Sequence, residues 1–250
     1  MLEVKNISSG YRSQMVLDGA SATFEKGRLT SIIGENGCGK TTLLKATLGI
    51  LPLMRGKITI DEQDLHLLSR NEIAKKIAYL SQEKNIPDMT VQQMVLHGRF
   101  PYLSYPRRYT SHDKDVARRA MAALGISEFA EKPLYSLSGG MRQNAYIAMA
   151  LAQDTDYILL DEPTTYLDIS HQLEVMKILR SLADKGKGVV TVMHDLPMAF
   201  DFSDEILVIQ NGQSKMRGKP DALYNAACIQ QIFNVGIKRV AGTGKYYYDI

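Results

Sequence analysis

The segment from Gly34 to Thr41 reads GENGCGKT, a fit to the pattern GxxxxGK[ST]. Glycines at this spacing let backbone N–H groups wrap a phosphate, and a helix N-terminus just beyond adds a favourable dipole. Lys40 would reach the β- and γ-phosphates of a nucleotide, and the Thr41 hydroxyl would ligate Mg2+. Thr42 would touch a phosphate oxygen from the same turn, with Glu35, Asn36, Gly37, Cys38 and Gly39 forming the wall of the cradle. The bland alternative is a glycine-rich turn carrying an incidental lysine.

A second cluster is Tyr157 to Pro163, YILLDEP. An apolar strand ending in two acids puts carboxylates at the C-terminal edge of a parallel sheet, where ligands of such folds bind. Asp161 suits Mg2+, a hard cation that prefers oxygen ligands and keeps its waters. Glu162 can take a proton from an attacking water, which contributes about 10²–10⁴ in rate. A solvated strand end is the alternative for such a pair alone. The third cluster is Ser138, Gly139 and Gly140, opening a helical stretch. Ser138 is a good N-cap, and the two glycines permit close approach of another molecule to N–H donors. One nucleotide held by the Lys40 loop could meet this second phosphate site only if the two come from facing chains. Otherwise it is a helix cap.

These groups need a scaffold. Leu29 to Ile33 (LTSII) is a β-rich run ending at Gly34, and a helical pattern follows from Thr41 to Leu51. Tyr157–Leu160 and Val189–Met193 read as buried strands. The intervening Ile169–Ala183 is helical, with apolar residues at Leu173, Val175, Met176, Ile178, Leu179 and Leu182. Strand, helix, strand predicts a crossover in a parallel sheet. From about Glu83 to Gln153 the patterns are helical (Val91–His97, Ser111–Leu124, Gly140–Ala152), broken by Pro101, Pro106, Arg107 and Arg108. The first 28 residues and Gly56–Ile60 read as short strands of a small antiparallel flank. The expectation is one α/β domain over 1–250, with a core at about 1–82 and 156–250 and a helical insertion at about 83–155.

Composition narrows the class. Thirty Lys and Arg against 27 Asp and Glu leave a formal charge of +3, too slight a surplus to suggest a nucleic-acid partner. Hydrophobic residues at 45% and charged residues at 23% fit a globular chain. Two cysteines, Cys38 and Cys228, make no disulfide framework and fit a reducing compartment. The N-terminus MLEVKNISSGY has no signal-peptide pattern, and apolar runs such as Ala145–Ala152 fall short of the roughly 20 residues of a membrane helix. The expectation is a soluble cytoplasmic chain that serves a membrane only through a partner. Cys38, beside Lys40 and at a helix N-terminus, should favour its thiolate, so alkylation there should block nucleotide binding unless Cys38 is an inert filler. Cys228 reads as inert. Tyr246 to Tyr248 read as a terminal strand packing alternate rings, with no function attached.

Taken together, the Walker A pattern at Gly34–Thr41, LSGG at Leu137–Gly140, LLDEP at Leu159–Pro163, His194 downstream and Gln82 ahead of the helical insertion resemble the ATP-binding cassette (ABC) ATPases. The resemblance runs from Tyr11 to about Ala222 and implies a P-loop NTPase core. It further implies that Tyr11 stacks on adenine, that Gln82 contacts Mg2+ and the attacking water while sensing a transport partner, and that His194 lies near the γ-phosphate. Asp168 resembles the aspartate that communicates across a dimer. Met141 and Asn144 depart from the Gln and Arg often found there, which could alter ribose contacts or dimer affinity.

Two stretches, Asp161 to Gln172 and Thr90 to Tyr102, resemble the ATPases of importers for ferric siderophores, haem and vitamin B12. Tyr166 sits where many ABC proteins carry a small residue. What this implies is an ATPase at the cytoplasmic face of the cell membrane. Two copies would sandwich two ATP molecules and drive permease subunits, with an extracytoplasmic solute-binding protein acting further upstream. The alternatives are a non-transport ABC ATPase such as a cluster-assembly factor, and a nucleotide-binding module without turnover.

Overall fold

A computed structural model describes residues 1–12, 14–82, 86–225, 228–233, 235–240 and 243–249, with backbone alone at Asn225 and Cys228. The expectation for Cys228 therefore lies outside the described side chains. The chain begins with strands β1 (Leu2–Tyr11), β2 (Gln14–Phe24) and β3 (Leu29–Ile33), then helix α1 (Lys40–Thr47), β4 (Leu53–Ile60) and β5 (Gln63–Asp64). Next come α2 (Arg70–Lys76), β6 (Ile77–Leu80), α3 (Val91–His97), α4 (Ser111–Ala123), α5 (Gly139–Ala152) and β7 (Tyr157–Asp161). These are followed by α6 (Ile169–Asp184), β8 (Gly188–Val192), α7 (Leu196–Phe202), β9 (Glu205–Gln210) and β10 (Gln213–Gly218). Helices α8 (Pro220–Asn225) and α9 (Cys228–Phe233) and strands β11 (Gly236–Arg239) and β12 (Tyr246–Asp249) complete the chain. Contacts group it into two units, Met1–Leu68 with Leu179–Ile250, and Ser69–Ile178.

In the first unit β3 runs parallel to both β8 and β9. Both β3 and β8 are buried at every residue, which is why their sequences are continuous apolar runs rather than alternating ones. Strand β10 folds back on β9 through Asn211 and Gly212, both at positive φ, the pairing of residues that a two-residue hairpin demands. The N-terminal flank is antiparallel as expected, in the order β2-β1-β4-β5. Its first two strands are long rather than short, at 10 and 11 residues. Register shifts at Val4/Ile7, Ile7/Ser9 and Ser9/Gly10 let β1 continue through polar NISSG, where its alternation breaks.

The second unit pairs β6 parallel to β7 and packs α3, α4 and α5 together. Capping boxes start three of its helices: Ser69 with Glu72, Thr90 with Gln93, and Thr110 with Asp113. Arg99, only 4% exposed, pins the helical group. Its Nε donates to Asp113 Oδ1 at 3.0 Å, its Nη1 donates to the Ala152 carbonyl at 3.0 Å, and its guanidinium lies 3.9 Å from the centre of the Tyr102 ring. Tyr102 in turn donates to the Gln153 carbonyl at 2.9 Å.

Burial pushes the Asp113 carboxyl up, but Thr110 and the Arg99 guanidinium outweigh it and hold the group below its usual range. The stabilisation from this group is thus present at neutral pH and lost as pH falls through the depressed value. Arg99→Met leaves Asp113 buried without its cation and should cost about 3–5 kcal/mol at pH 7. Protonation relieves that charge, so urea unfolding at about pH 4 should show a smaller deficit. A deficit independent of pH would count against the ion pair as its origin.

Candidate functional site

The phosphate loop is built by the first unit. β3 delivers the chain at Ile33, and Gly39, in the left-handed region at φ 111°, turns it into α1. A side chain there would also press on Leu17 at 2.8 Å, so the residue must be glycine. The Gly212 N–H donates to the Cys38 carbonyl at 3.0 Å, tying the loop to the β9–β10 hairpin. Gly34, Cys38, Gly39, Lys40 and Thr42 are buried, Thr41 is half-buried, and Glu35, Asn36 and Gly37 are exposed.

Lys40 curls over its own loop. Its Nζ donates to the Gly34 carbonyl at 2.8 Å and to the Glu35 carbonyl at 2.9 Å, and the residue is 6% exposed. Those oxygens satisfy hydrogen bonds but carry no charge, so the ammonium retains its attraction for an anion. Tyr11, at the end of β1, is 42% exposed, with Lys45 Nζ at 3.5 Å from its hydroxyl. His194, exposed, follows β8, and the preceding Met193 N–H donates to the Ile32 carbonyl of β3 at 3.0 Å.

One expectation is overturned. Burial pushes the Cys38 thiol up, and the nearby Lys40 ammonium does not reverse it. The sequence argument weighed the cation and the helix but could not see that the sulfur is withdrawn from water, which penalises the thiolate more.

The second unit carries the carboxylates. Asp161 ends β7 and is 1% exposed, and the Tyr79 hydroxyl donates to its Oδ2 at 3.4 Å. Glu162 takes φ +52°, a left-handed conformation unusual for a glutamate and common at functional sites. Its Oε2 accepts from Gln82 Nε2 at 2.6 Å and from the Thr165 hydroxyl at 3.1 Å. Gln82 and Glu162 thus come together across 80 residues of sequence. Both line a cleft of about 610 Å³ with Gly139, Arg142, Tyr146 and Tyr166.

Ser138 caps α5, its hydroxyl accepting from the Met141 N–H at 3.3 Å. Open space surrounds Gly139, whereas a Cβ on Gly140 would come within 2.5 Å of the His171 ring. Asp168 orients that ring: His171 Nδ1 lies 2.7 Å from Asp168 Oδ2, and Asp168 Oδ1 accepts from the Ser170 hydroxyl and the His171 N–H. The Ser170 hydroxyl and then the His171 backbone and ring hold the Asp168 carboxyl well below the usual range. Asn144, one of the two departures, is buried and donates to the Leu124 carbonyl at 3.3 Å. His171 and Tyr79 were missed by sequence reasoning. The three-residue spacing from Asp168 to His171 at a helix start was a usable signal, and Tyr79 offered none.

Among the described residues no three His, Cys, Asp or Glu side chains cluster as a metal cage. The buried Asp161 carboxylate of the second unit and, taken separately, the Thr41 hydroxyl of the first are each of the donor type that Mg2+ takes alongside phosphate oxygens and water. The residues fit that cation.

The family model described as ABC transporter matches residues 17–165, more than half of the chain. The petrobactin import ATP-binding protein FpuD of Bacillus anthracis is 40% identical over 236 residues, which span 94% of this chain and 86% of FpuD. An inward-facing metal-chelate type ABC transporter superposes with TM-score 0.84 at 27% identity, over 99% of this chain and 95% of that one. A dimeric ATP-binding cassette in a post-hydrolysis state, bound to ADP and phosphate, superposes with TM-score 0.76 at 27% identity, over 88% and 99%. The family match takes in residues 34–42, 138–140 and 161–162, and the chain accordingly belongs to the ABC transporter family, as one of its ATP-binding, ATP-hydrolysing subunits.

Proposed function

We propose that this chain powers a membrane importer whose cargo is an iron–siderophore complex or a related metal chelate. The observation that carries the ATPase part is the Lys40 ammonium, buried inside a loop of backbone and bonded to two neutral carbonyls. Support for the cargo comes from the petrobactin import relative and the metal-chelate type transporter. The likeness to a dimeric cassette supports a pair of copies.

In this reading, residues 34–42 of one copy hold the phosphates of ATP, Tyr11 stacks on the adenine, and Ser138, Gly139 and Gly140 of the second copy close over the γ-phosphate. Thr41, Asp161 and Gln82 would hold Mg2+, which when bound would neutralise phosphate charge. Glu162, steadied by Gln82, takes the proton of the water that attacks the γ-phosphorus as the bond to ADP breaks. His194 contacts the γ-phosphate, and Asp168 relays the state of the site across the pair. Closure and reopening move permease subunits in the membrane, and an extracytoplasmic solute-binding protein delivers the cargo to them. No helix among the described residues is long and apolar enough to cross a membrane, which is consistent with a peripheral subunit held at the cytoplasmic face by its permease.

Glu162→Gln should lower turnover by about 10²–10⁴, the range for a lost general base, and accumulate an ATP-bound dimer in light scattering. Normal hydrolysis by this variant would refute the role. Incubated with ATP and solubilised native membranes, the same variant should co-purify with a polytopic permease. Recovery of soluble partners alone would overturn the importer reading and leave the ATPase intact. Maleimide labelling of Cys38 should be slow at pH 7, speed up as pH rises, and be suppressed by saturating ATP. Labelling at an undiminished rate under saturating ATP would show that the nucleotide does not occupy this loop.

A further inference from the structure

The tyrosines at 246 to 248 take no part in the chemistry above. They form β12, whose alternate side chains separate in role. Tyr246 is buried, packing its ring 5.1 Å from Phe200 and 5.5 Å from Tyr224, donating its hydroxyl to Asp221 at 2.6 Å, and donating its N–H to Asp201 at 3.0 Å. Tyr247 is exposed. Tyr248 reaches the start of α7, where its hydroxyl accepts from the Leu196 N–H at 3.0 Å.

That N–H belongs to the peptide two residues beyond His194. The first turn of α7 has four backbone positions to satisfy. Pro197 has no N–H and the Met198 N–H donates to the Asp195 carboxylate at 2.7 Å, while the Ala199 N–H makes the first intrahelical bond, to the Asp195 carbonyl at 3.0 Å. The Leu196 N–H finds its acceptor in a distant part of the chain. On the other side of His194, the Met193 N–H is held by Ile32, in the strand that feeds the phosphate loop. The backbone carrying the exposed imidazole is therefore pinned at both ends, once by β3 and once by the C-terminal strand. Burial pushes the Tyr248 hydroxyl up, keeping it a neutral phenol whose oxygen accepts from Leu196.

We propose that Tyr248 is a positioning residue for His194, fixing through Leu196 the segment from which the imidazole meets the γ-phosphate. The proposal rests on the reading that His194 acts at that phosphate. Tyr248 is 37% exposed, and its hydroxyl makes the contact, so Tyr248→Phe removes that hydrogen bond and keeps the ring.

The test is steady-state Mg-ATP turnover of the full chain, with thermal unfolding measured in parallel. Tyr248→Phe should lower kcat by about three- to tenfold, the scale of one lost hydrogen bond, with the KM for ATP within about twofold and the unfolding midpoint unchanged. Tyr247→Phe should match the unaltered chain in all three, and His194→Gln should lose most of its turnover. An unchanged kcat in Tyr248→Phe beside an inactive His194→Gln overturns the proposal while sparing the role of His194. A fall in kcat that merely follows a lower unfolding midpoint or a raised KM overturns it too, because the bond would then serve stability or binding alone. Full turnover in His194→Gln removes the role of His194, and the proposal with it.

Discussion

An ammonium withdrawn from water must meet oxygen atoms or an anion at hydrogen-bond distance, and the surroundings of Lys40 are organised by that requirement. Two carbonyls of the loop itself, at Gly34 and Glu35, meet it without neutralising the charge. The loop can curl this tightly because Gly39 adopts a left-handed conformation, and it keeps its shape because the Asn211–Gly212 turn donates to the Cys38 carbonyl. The same withdrawal from water that concentrates the lysine's charge suppresses the thiolate of its neighbour. One environment thus leaves a buried cation without a counter-charge among the described residues and a thiol that ionises less readily.

The second unit solves a different problem, that of holding carboxylates where they can be used. Asp161 is buried at a strand end beside the Tyr79 hydroxyl, while Glu162 is turned away by its left-handed backbone and held by Gln82 and Thr165. Two adjacent acids thereby receive separate environments, as the roles proposed for them in metal binding and proton transfer would require. Asp168 spends its carboxylate locally, on Ser170 and on both nitrogens of His171 that face it, and so sets the ring against Gly140 at the head of α5. The glycine is needed there for the space it leaves to a neighbour within its own chain, as well as for any approach from outside.

Helix starts were legible because their chemistry is local. Ser138 announced α5 in the sequence, and the capping boxes at Thr90 and Thr110, which the reading did not use, are equally local. The buried strands β3, β7 and β8 were legible as apolar runs. The β9–β10 hairpin carried its own signal in Asn211–Gly212, which the reading passed over. The first 28 residues were read as short strands; Asn6 and the serines after it interrupt the alternation of β1, and bulges that carry a strand through such a break depend on what the partner strand can accept.

The sequence by itself determined the phosphate loop, the acid-ended strand and the capped helix, together with the family they define. Each is set by residue types within a few positions of one another, where backbone sterics and turn chemistry decide. Tertiary structure alone decided the protonation of Cys38, the hydrogen bond from Gln82 to Glu162, the seat of His171 on Gly140 and the reach of Tyr248 to Leu196. All four depend on how far a group is withdrawn from water or on which distant residue faces it, and neither quantity exists until the chain has packed.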